Sequence, residues 1–138
     1  MPALDTFFPT VRTVAVVGLS RDPTRPSHEV ALALQAMGLR IVPVNPKHAG
    51  ESLLGEPCIA ALEDAPAKID IVDVFRASEQ VLPIAEAAIA IGARCLWQQR
   101  GVANLAAHAL AERHGLLSVY DRCLKIEYRA WKGALDGR

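Results

Sequence analysis

Five apolar runs of strand length recur along the chain, and they constrain its fold more than any other feature. The runs are largely continuous rather than alternating, which is typical of strands buried on both faces of a parallel sheet. They occupy residues 14–19, 41–44, 69–75, 95–97 and 116–120. With helical patterns between them, the sequence predicts an α/β fold: a single doubly wound, mostly parallel sheet of Rossmann type, with helices on both faces.

Helical spacing fills the intervals between these runs. Apolar residues at positions 30, 33, 34 and 37 predict a helix, with Ser27 as its N-terminal cap and Gly38 ending it in the left-handed conformation. The same spacing recurs at positions 81, 84, 85 and 88, where Pro83 removes one backbone donor from the first turn. A third helix is predicted from about Asn104 to His114.

Two further segments have weaker patterns. Residues 50–67 are rich in turn-forming residues, and their short apolar stretch at 59–62 predicts a crossover that holds at most a brief helix. Residues 125–132 predict a last short helix that docks on the domain, because a free tail seldom carries so much apolar surface. The docking side chains are expected to be Ile126, Tyr128 and Trp131.

The balance of charged and apolar residues excludes several classes of protein. The 138 residues are expected to form one domain, 1–138, and a hydrophobic content of 51% excludes disorder of the whole chain. Lys plus Arg and Asp plus Glu each number 15, and this zero net charge disfavours a nucleic-acid partner. The longest apolar stretch, residues 81–93, is too short for a bilayer and contains Pro83 and Glu86, so no membrane association is expected.

The cysteines indicate a reducing compartment. Cys58, Cys95 and Cys123 are odd in number and have no C-x-x-C spacing, which argues against a disulfide framework and against a structural zinc site. The first residues lack the basic segment and apolar stretch of a secretion signal. The sequence therefore predicts a cytoplasmic protein.

The ends of the first two strands carry features of a nucleotide site. Of the G-x-G-x-x-G dinucleotide fingerprint only Gly18 is present, so an ordinary NAD site is disfavoured. After the second strand, Lys47 stands where NAD enzymes place an acid to hold the ribose hydroxyls. An ammonium suits a phosphorylated ribose, either the 2′-phosphate of NADP or the 3′-phosphate of coenzyme A, and a solvated surface lysine is the alternative.

Basic residues follow all five predicted strands. Since the carboxyl ends of parallel strands share one edge of the sheet, this series predicts an anion site there, and the alternative is local pairing of each arginine with an acid. The series consists of Arg21, Arg25, Lys47, Arg76, Arg100 and Arg122. Phe75, Trp97 and Gln98 add flat apolar faces and an amide, a mixture suited to an adenine ring.

Six segments spread over nearly the whole chain resemble, in order, the motifs of the small stand-alone CoA-binding proteins. These proteins are relatives of the CoA-binding Rossmann domain at the N-terminus of the succinyl-CoA synthetase alpha subunit. The segments are VAVVGLS at 14–20, RPS at 25–27, PVNP at 43–46, DIVDVFR at 70–76, WQQRG at 97–101 and DRCLKIEY at 121–128.

The resemblance implies that coenzyme A or an acyl-CoA binds at the carboxyl edge of the sheet. By motif it assigns to the ligand Gly18, Ser20, Arg25, Ser27, Asn45, Pro46, Lys47, Phe75, Arg76, Trp97, Gln98 and Gly101. Gly18 and Ser20 are expected at the phosphates, and Asn45 to Lys47 at the ribose and its 3′-phosphate. Relatives often have Met where this chain has Gln98, and Leu where it has Arg100.

No recognisable catalytic set is present, which favours a binding protein over an enzyme. The histidines, at positions 28, 48, 108 and 114, lack the Ser, Cys or carboxylate spacing of a known motif, although folding can bring distant groups together. Cys123 lies in a basic stretch, and a mixed disulfide with the CoA thiol is one hypothesis for it. An NADP-dependent enzyme and a protein-interaction scaffold without ligand remain as alternatives, and a homodimer or a protein partner stays open.

Overall fold

The computed structural model describes residues 2–136, and its centre is a five-stranded parallel sheet. Along the chain the strands are β1 (Thr13–Val17), β2 (Arg40–Val44), β3 (Ser52–Leu53), β4 (Glu56–Pro57), β5 (Ile71–Val74), β6 (Cys95–Gln98) and β7 (Leu117–Val119). The strands of the sheet lie in the order β2-β1-β5-β6-β7, and a separate antiparallel pair is formed by β3 and β4. The predicted Rossmann-like architecture is confirmed, and each predicted apolar run overlaps one strand of the central sheet.

Helices cover both faces of this sheet. They are α1 (Pro2–Phe7), α2 (Pro26–Ala36), α3 (Val81–Ala90), α4 (Leu105–Arg113) and α5 (Leu124–Asp136). One buried cluster joins the sheet to α1, α2 and α5, and a second joins its other face to α3 and α4. Within residues 2–136, no helix is long and apolar enough to cross a bilayer.

The ends of the helices follow the sequence with one exception. Gly38, with φ of +100°, follows α2 as predicted, and the Asn104 side chain accepts the Ala107 N–H at 2.9 Å to cap α4. The prediction that Ser27 caps α2 is wrong, because the helix begins one residue earlier, at Pro26. The Ser27 hydroxyl instead accepts the backbone N–H of Ser20 at 2.9 Å.

The segment 50–67 contains a hairpin where the sequence predicts at most a brief helix. β3 and β4 are joined by the two residues Leu54 and Gly55, which both have positive φ, of 53° and 79°. A two-residue hairpin loop in a type I′ turn requires positive φ at both of its central residues. The helical part of the segment is a single 3-10 turn, Leu62–Asp64, which begins at the last residue of the stretch at 59–62.

The last helix docks through two of its three predicted side chains. Tyr128 is buried, and the rings of Tyr128 and Trp131 lie 5.2 and 5.7 Å from that of Phe8, which follows α1. Ile126 was predicted to dock with them, but it faces the other way and is 44% exposed.

The strand order places a crevice between β1 and β5. After β1 the chain passes through α2 to β2, which pairs with one side of β1. The strand on the other side of β1 is β5, and after β5 the chain continues away from β1 to β6 and β7. The connections after β1 and β5 therefore diverge at the carboxyl edge. Open α/β sheets bind ligands at such a switch point.

Candidate functional site

The backbones at the ends of β1, β2 and β5 converge on Gly18. Its N–H donates to the Val44 carbonyl at 2.8 Å, and a Cβ at this position would lie 2.6 Å from the carbonyl oxygen of Phe75. Its φ of +90° is also one that L side chains rarely adopt. Both the space and the conformation therefore require glycine, and the loop after β1 passes close to the end of β5.

The loop between β1 and α2 is held in place mainly by hydrogen bonds of its own side chains. The Ser20 N–H donates to the Ser27 hydroxyl, and the Ser20 carbonyl lies 2.9 Å from Nδ1 of His28. The Ser20 hydroxyl accepts the Asp22 N–H at 3.1 Å. The Asp22 carboxylate accepts the N–H and hydroxyl of Thr24, and these bonds lower the pKa of Asp22. The loop is thus fixed without a ligand.

Asn45 connects the three strand ends. It is 7% exposed, and its Nδ2 donates to the Leu19 carbonyl at 3.0 Å. Its Oδ1 accepts the Lys47 N–H at 3.1 Å and Nη2 of Arg76 at 3.3 Å. This single amide therefore orients the loop after β1, the turn after β2 and the arginine after β5.

These groups surround a cavity of about 470 Å³, which we call the cation cavity. Nine of the twelve predicted ligand residues line it, together with Pro26 and His48. The nine are Gly18, Ser20, Arg25, Ser27, Asn45, Pro46, Lys47, Phe75 and Arg76. Arg25, Lys47 and Arg76 form no ion pair with any side chain of residues 2–136, and the lining contains no carboxylate. The cavity is therefore built to attract an anion.

A second cavity of about 490 Å³, the apolar cavity, adjoins the first. The two share three lining residues, Pro26, Phe75 and Arg76. The apolar cavity lies between α2 and α5, and an ion pair between Glu29 and Lys125 spans these helices beside it. The sequence did not indicate this cavity, and its other lining residues are Val30, Gln99, Arg100, Val102, Cys123 and Ile126.

Three predicted ligand residues lie away from both cavities. Trp97 and Gln98 are fully buried: the Trp97 indole N–H donates to a backbone carbonyl at 2.8 Å, and the Gln98 side chain bonds the backbone of Asn104. Gly101 lies in an exposed turn, where its N–H donates to Asp121 at 2.8 Å. Side chains within a strand point into the two cores, and only residues beyond its end reach the edge. Gln99 and Arg100, the residues after β6, line the apolar cavity in their place.

The series of cations divides into two groups. Arg21 pairs with Glu51, and Arg122 pairs with Glu127, each at 3.0 Å, so the alternative of local pairing applies to these two. The other four, Arg25, Lys47, Arg76 and Arg100, line the two cavities.

The cysteines differ in their surroundings. Burial raises the pKa of the Cys58 and Cys95 thiols, and Cys95 is fully enclosed. Cys123 is also buried, but it lines the apolar cavity. Across residues 2–136 no three His, Cys, Asp or Glu side chains gather as a metal site would require.

Similar proteins are found in bacteria and archaea. Residues 12–129 match the family model described as a CoA binding domain. An uncharacterized Bacillus subtilis protein, YneT, is 37% identical over 121 residues, which cover 88% of each chain.

Solved structures share the fold closely. A Thermus thermophilus protein has 33% identity and a TM-score of 0.90, over 94% of this chain and 97% of its own. A hypothetical protein from Pyrococcus horikoshii OT3 has 32% identity and a TM-score of 0.90, over 96% and 92%. A dinucleotide forming acetyl-coenzyme A synthetase of Ca. Korarchaeum cryptofilum has 22% identity and a TM-score of 0.71, over 86% of this chain and 27% of its own, and shares the fold.

Proposed function

We propose, from the fact that this chain belongs to the CoA binding domain family, that it binds coenzyme A or an acyl-CoA at the carboxyl edge of its sheet. The phosphates of the nucleotide occupy the cation cavity, and the pantetheine arm with its thiol or acyl group lies in the apolar cavity. The ligand is bound there without being transformed. Such a protein stores, senses or presents CoA.

The observation that carries this proposal is a set of three cations around one cavity that form no ion pair within residues 2–136. Guanidinium groups match phosphate oxygens in geometry and charge, and a lysine ammonium adds a compact point charge. Arg25 comes from the loop between β1 and α2, Lys47 from the turn after β2 and Arg76 from the end of β5. A ligand with several phosphates at one end satisfies all three cations.

The adjoining apolar cavity favours CoA over a shorter nucleotide. Coenzyme A carries its phosphates at one end and a long, mostly uncharged arm ending in a thiol at the other. Phe75 and Pro26 line both cavities, so the arm can pass from one to the other along their side chains. Cys123 and Ile126 line the far part of this path. NADP, the second candidate, shares a ribose phosphate but has no such arm.

Thermal shift under reducing conditions tests the proposal with CoA, dephospho-CoA, acetyl-CoA, NADP and NAD. A ligand at a hundred times its dissociation constant adds about 2.7 kcal/mol, which raises the midpoint by several degrees. We expect CoA and acetyl-CoA to stabilise the protein more than dephospho-CoA, because the cations of the cation cavity bind the 3′-phosphate. Selective stabilisation by NADP supports the enzyme alternative, and no shift with any ligand supports the scaffold.

Charge reversals locate the site. Lys47→Glu and Arg25→Glu are expected to weaken CoA binding at least tenfold while leaving the unliganded midpoint nearly unchanged, since neither cation forms an ion pair with a side chain of residues 2–136. Arg113→Glu is the matched control, because it makes the same charge change in a groove between α3 and α4, on the other face of the sheet. Equal affinities in all three variants would refute the cation cavity as the phosphate site.

A further inference from the structure

A serine and a histidine joined by a hydrogen bond, with a glutamate carboxylate beside the histidine, lie at the free edge of the sheet, away from both cavities. His108 on α4 places Nδ1 2.7 Å from the Ser118 hydroxyl on β7. Its other ring nitrogen, Nε2, lies 3.2 Å from a carboxylate oxygen of Glu112, one helical turn further along α4. None of the three is a ligand residue of the proposed CoA site.

These side chains open on a cavity of about 560 Å³. Ser118 is 7% exposed as a whole residue, but it lines this cavity together with His108 and Glu112. The remaining lining comes from the end of β7 and the turn after it: Val119, Tyr120, Asp121 and Arg122. A small ligand in this cavity therefore lies beside the serine and the histidine.

The arrangement of partners assigns one role to each ring nitrogen. The Glu112 carboxylate, 3.2 Å from Nε2, favours the tautomer that carries its proton on Nε2, and this leaves the Nδ1 lone pair directed at the Ser118 hydroxyl. The Tyr120 ring packs on the imidazole at 4.9 Å with an interplanar angle of 77° and restricts its rotation. A nucleophile in reach of a base, which a third group orients, is the arrangement that activates a hydroxyl.

The edge strand supplies a donor for the charge that develops in such a reaction. The Leu117 N–H donates to the Arg94 carbonyl at 3.0 Å, towards β6. Backbone groups of successive residues in a parallel strand alternate in direction, so the N–H of Ser118 is directed away from β6. Among residues 2–136 no strand pairs with β7 on that side, which leaves this N–H beside the hydroxyl to stabilise an oxyanion.

We propose that Ser118, His108 and Glu112 form an acyl-transfer site for a small ester or thioester. The Ser118 oxygen bonds to the carbonyl carbon while its proton moves to Nδ1 of His108. The bond from that carbon to the leaving oxygen or sulfur then breaks, and the leaving group takes the proton. Water cleaves the acyl-serine by the same route, returning a proton to Ser118 and releasing the acid. Glu112 is a positioning residue.

Labelling of the wild-type chain with diisopropyl fluorophosphate tests the proposal. The serine oxygen displaces fluoride from phosphorus, and its proton leaves with the fluoride through His108. We expect one adduct per chain, mapped to Ser118 by peptide mass spectrometry, and no adduct in denaturant. Hydrolysis of p-nitrophenyl acetate is expected to be lost in the labelled protein. No adduct, or an adduct on another hydroxyl such as that of Tyr120, would overturn the proposal.

Two variants of the base test its role, and His114→Ala is their matched control. His108→Ala and His108→Gln are both expected to lower the labelling rate about 100-fold, because general base assistance contributes at least that much. His108→Gln retains a hydrogen-bonding side chain between α4 and β7, which maintains the fold. His114 is exposed, lies just after α4 and is outside this cavity, so its removal should leave the rate unchanged. Labelling of Ser118 at the same rate without His108 would contradict the assignment.

Glu112→Gln separates positioning from packing. Its expected effect is a lower maximal labelling rate with an unchanged half-saturating probe concentration, since the glutamine fills the same space but holds the imidazole less strongly. An unchanged maximal rate would remove Glu112 from the set. The experiment does not involve CoA, so its result is independent of the proposed function.

Discussion

A buried carboxyl group on β5 makes the stability of this protein depend on pH in a direction opposite to that of most acids. Asp73 is fully buried, and neither of its oxygens has a hydrogen-bond partner among residues 2–136. It lies in register with Val16 and Trp97 in the centre of the sheet. Burial raises its pKa well above the ordinary value of 3.8, so the folded protein keeps this side chain protonated at pH values where the unfolded chain releases the proton.

The sign and size of the effect follow from proton linkage. Above pH 3.8 ionisation of Asp73 stabilises the unfolded chain. The free energy of unfolding therefore decreases as the pH rises, until the pH passes the raised pKa of the folded state. The slope from this one group is about 1.4 kcal/mol for each pH unit. Asp73→Asn has nearly the same shape and no proton to release. Its stability relative to wild type should therefore increase as the pH rises from 5 to 7, by about 1.4 kcal/mol for each pH unit over which the folded protein keeps Asp73 protonated.

Urea denaturation of both proteins at pH 5, 6 and 7 measures this difference. Asp70→Asn is the control, since its neighbours lower the pKa of Asp70 and the group is ionised in both states throughout this range. The stability difference between Asp70→Asn and wild type should be constant from pH 5 to pH 7. A constant difference for Asp73→Asn as well would show that its carboxyl group ionises normally in the folded protein and would refute the reasoning.

Three further predictions concern the strand ends and the cavities. Gly18→Ala is expected to lower the free energy of unfolding by about 2 kcal/mol or more in urea denaturation, because it adds a clash with a carbonyl oxygen to an unfavourable φ. Gly38→Ala, where a Cβ meets nothing within 4 Å, should lower the free energy of unfolding only by the cost of its unfavourable φ. Equal losses in Gly18→Ala and Gly38→Ala would contradict this account. Asp70→Ala should cost about 1.5–3 kcal/mol above pH 5 and progressively less as the pH falls through the lowered pKa of the folded state, since the ionised carboxylate accepts two backbone N–H bonds at the start of β1 that weaken as it protonates; a loss that does not depend on pH would refute this. CoA should slow alkylation of Cys123 by N-ethylmaleimide, as followed by intact mass, while Cys95 stays unmodified with or without ligand; alkylation of Cys123 at the same rate in both conditions would exclude the apolar cavity as the place of the pantetheine arm.

The sequence predicted the sheet well because continuous apolar runs arise from burial on both faces. The hairpin of β3 and β4 was missed, since two-residue strands have no periodicity and Leu54 is not a residue type that favours positive φ. The length of α5 was underestimated for a related reason. Gly133 follows Trp131 closely, and glycine disfavours a helix interior, although the helix continues to Asp136.

The sequence predicted the residues of the cation cavity that closely follow a strand. Gly18, Arg76 and Lys47 reach the edge because they lie one, two and three residues beyond the ends of β1, β5 and β2. Trp97 and Gln98 belong to β6 itself, so their side chains point into the cores. The contact between His108 and Ser118 depends on how α4 returns across β7, which residue spacing does not show.

The final helix, α5, contacts both the apolar cavity and the aromatic cluster around Phe8. At its start, Ile126 and Lys125 line the apolar cavity, and five residues after Ile126, Trp131 packs against Phe8 and Tyr128. Trp97 packs on the same phenylalanine from the sheet side, with ring centroids 6.2 Å apart. Both tryptophans of the chain thus contact Phe8. Their fluorescence is consequently a built-in reporter of how α5 rests on the sheet, and an emission change on adding a ligand would register movement of that helix without any dye.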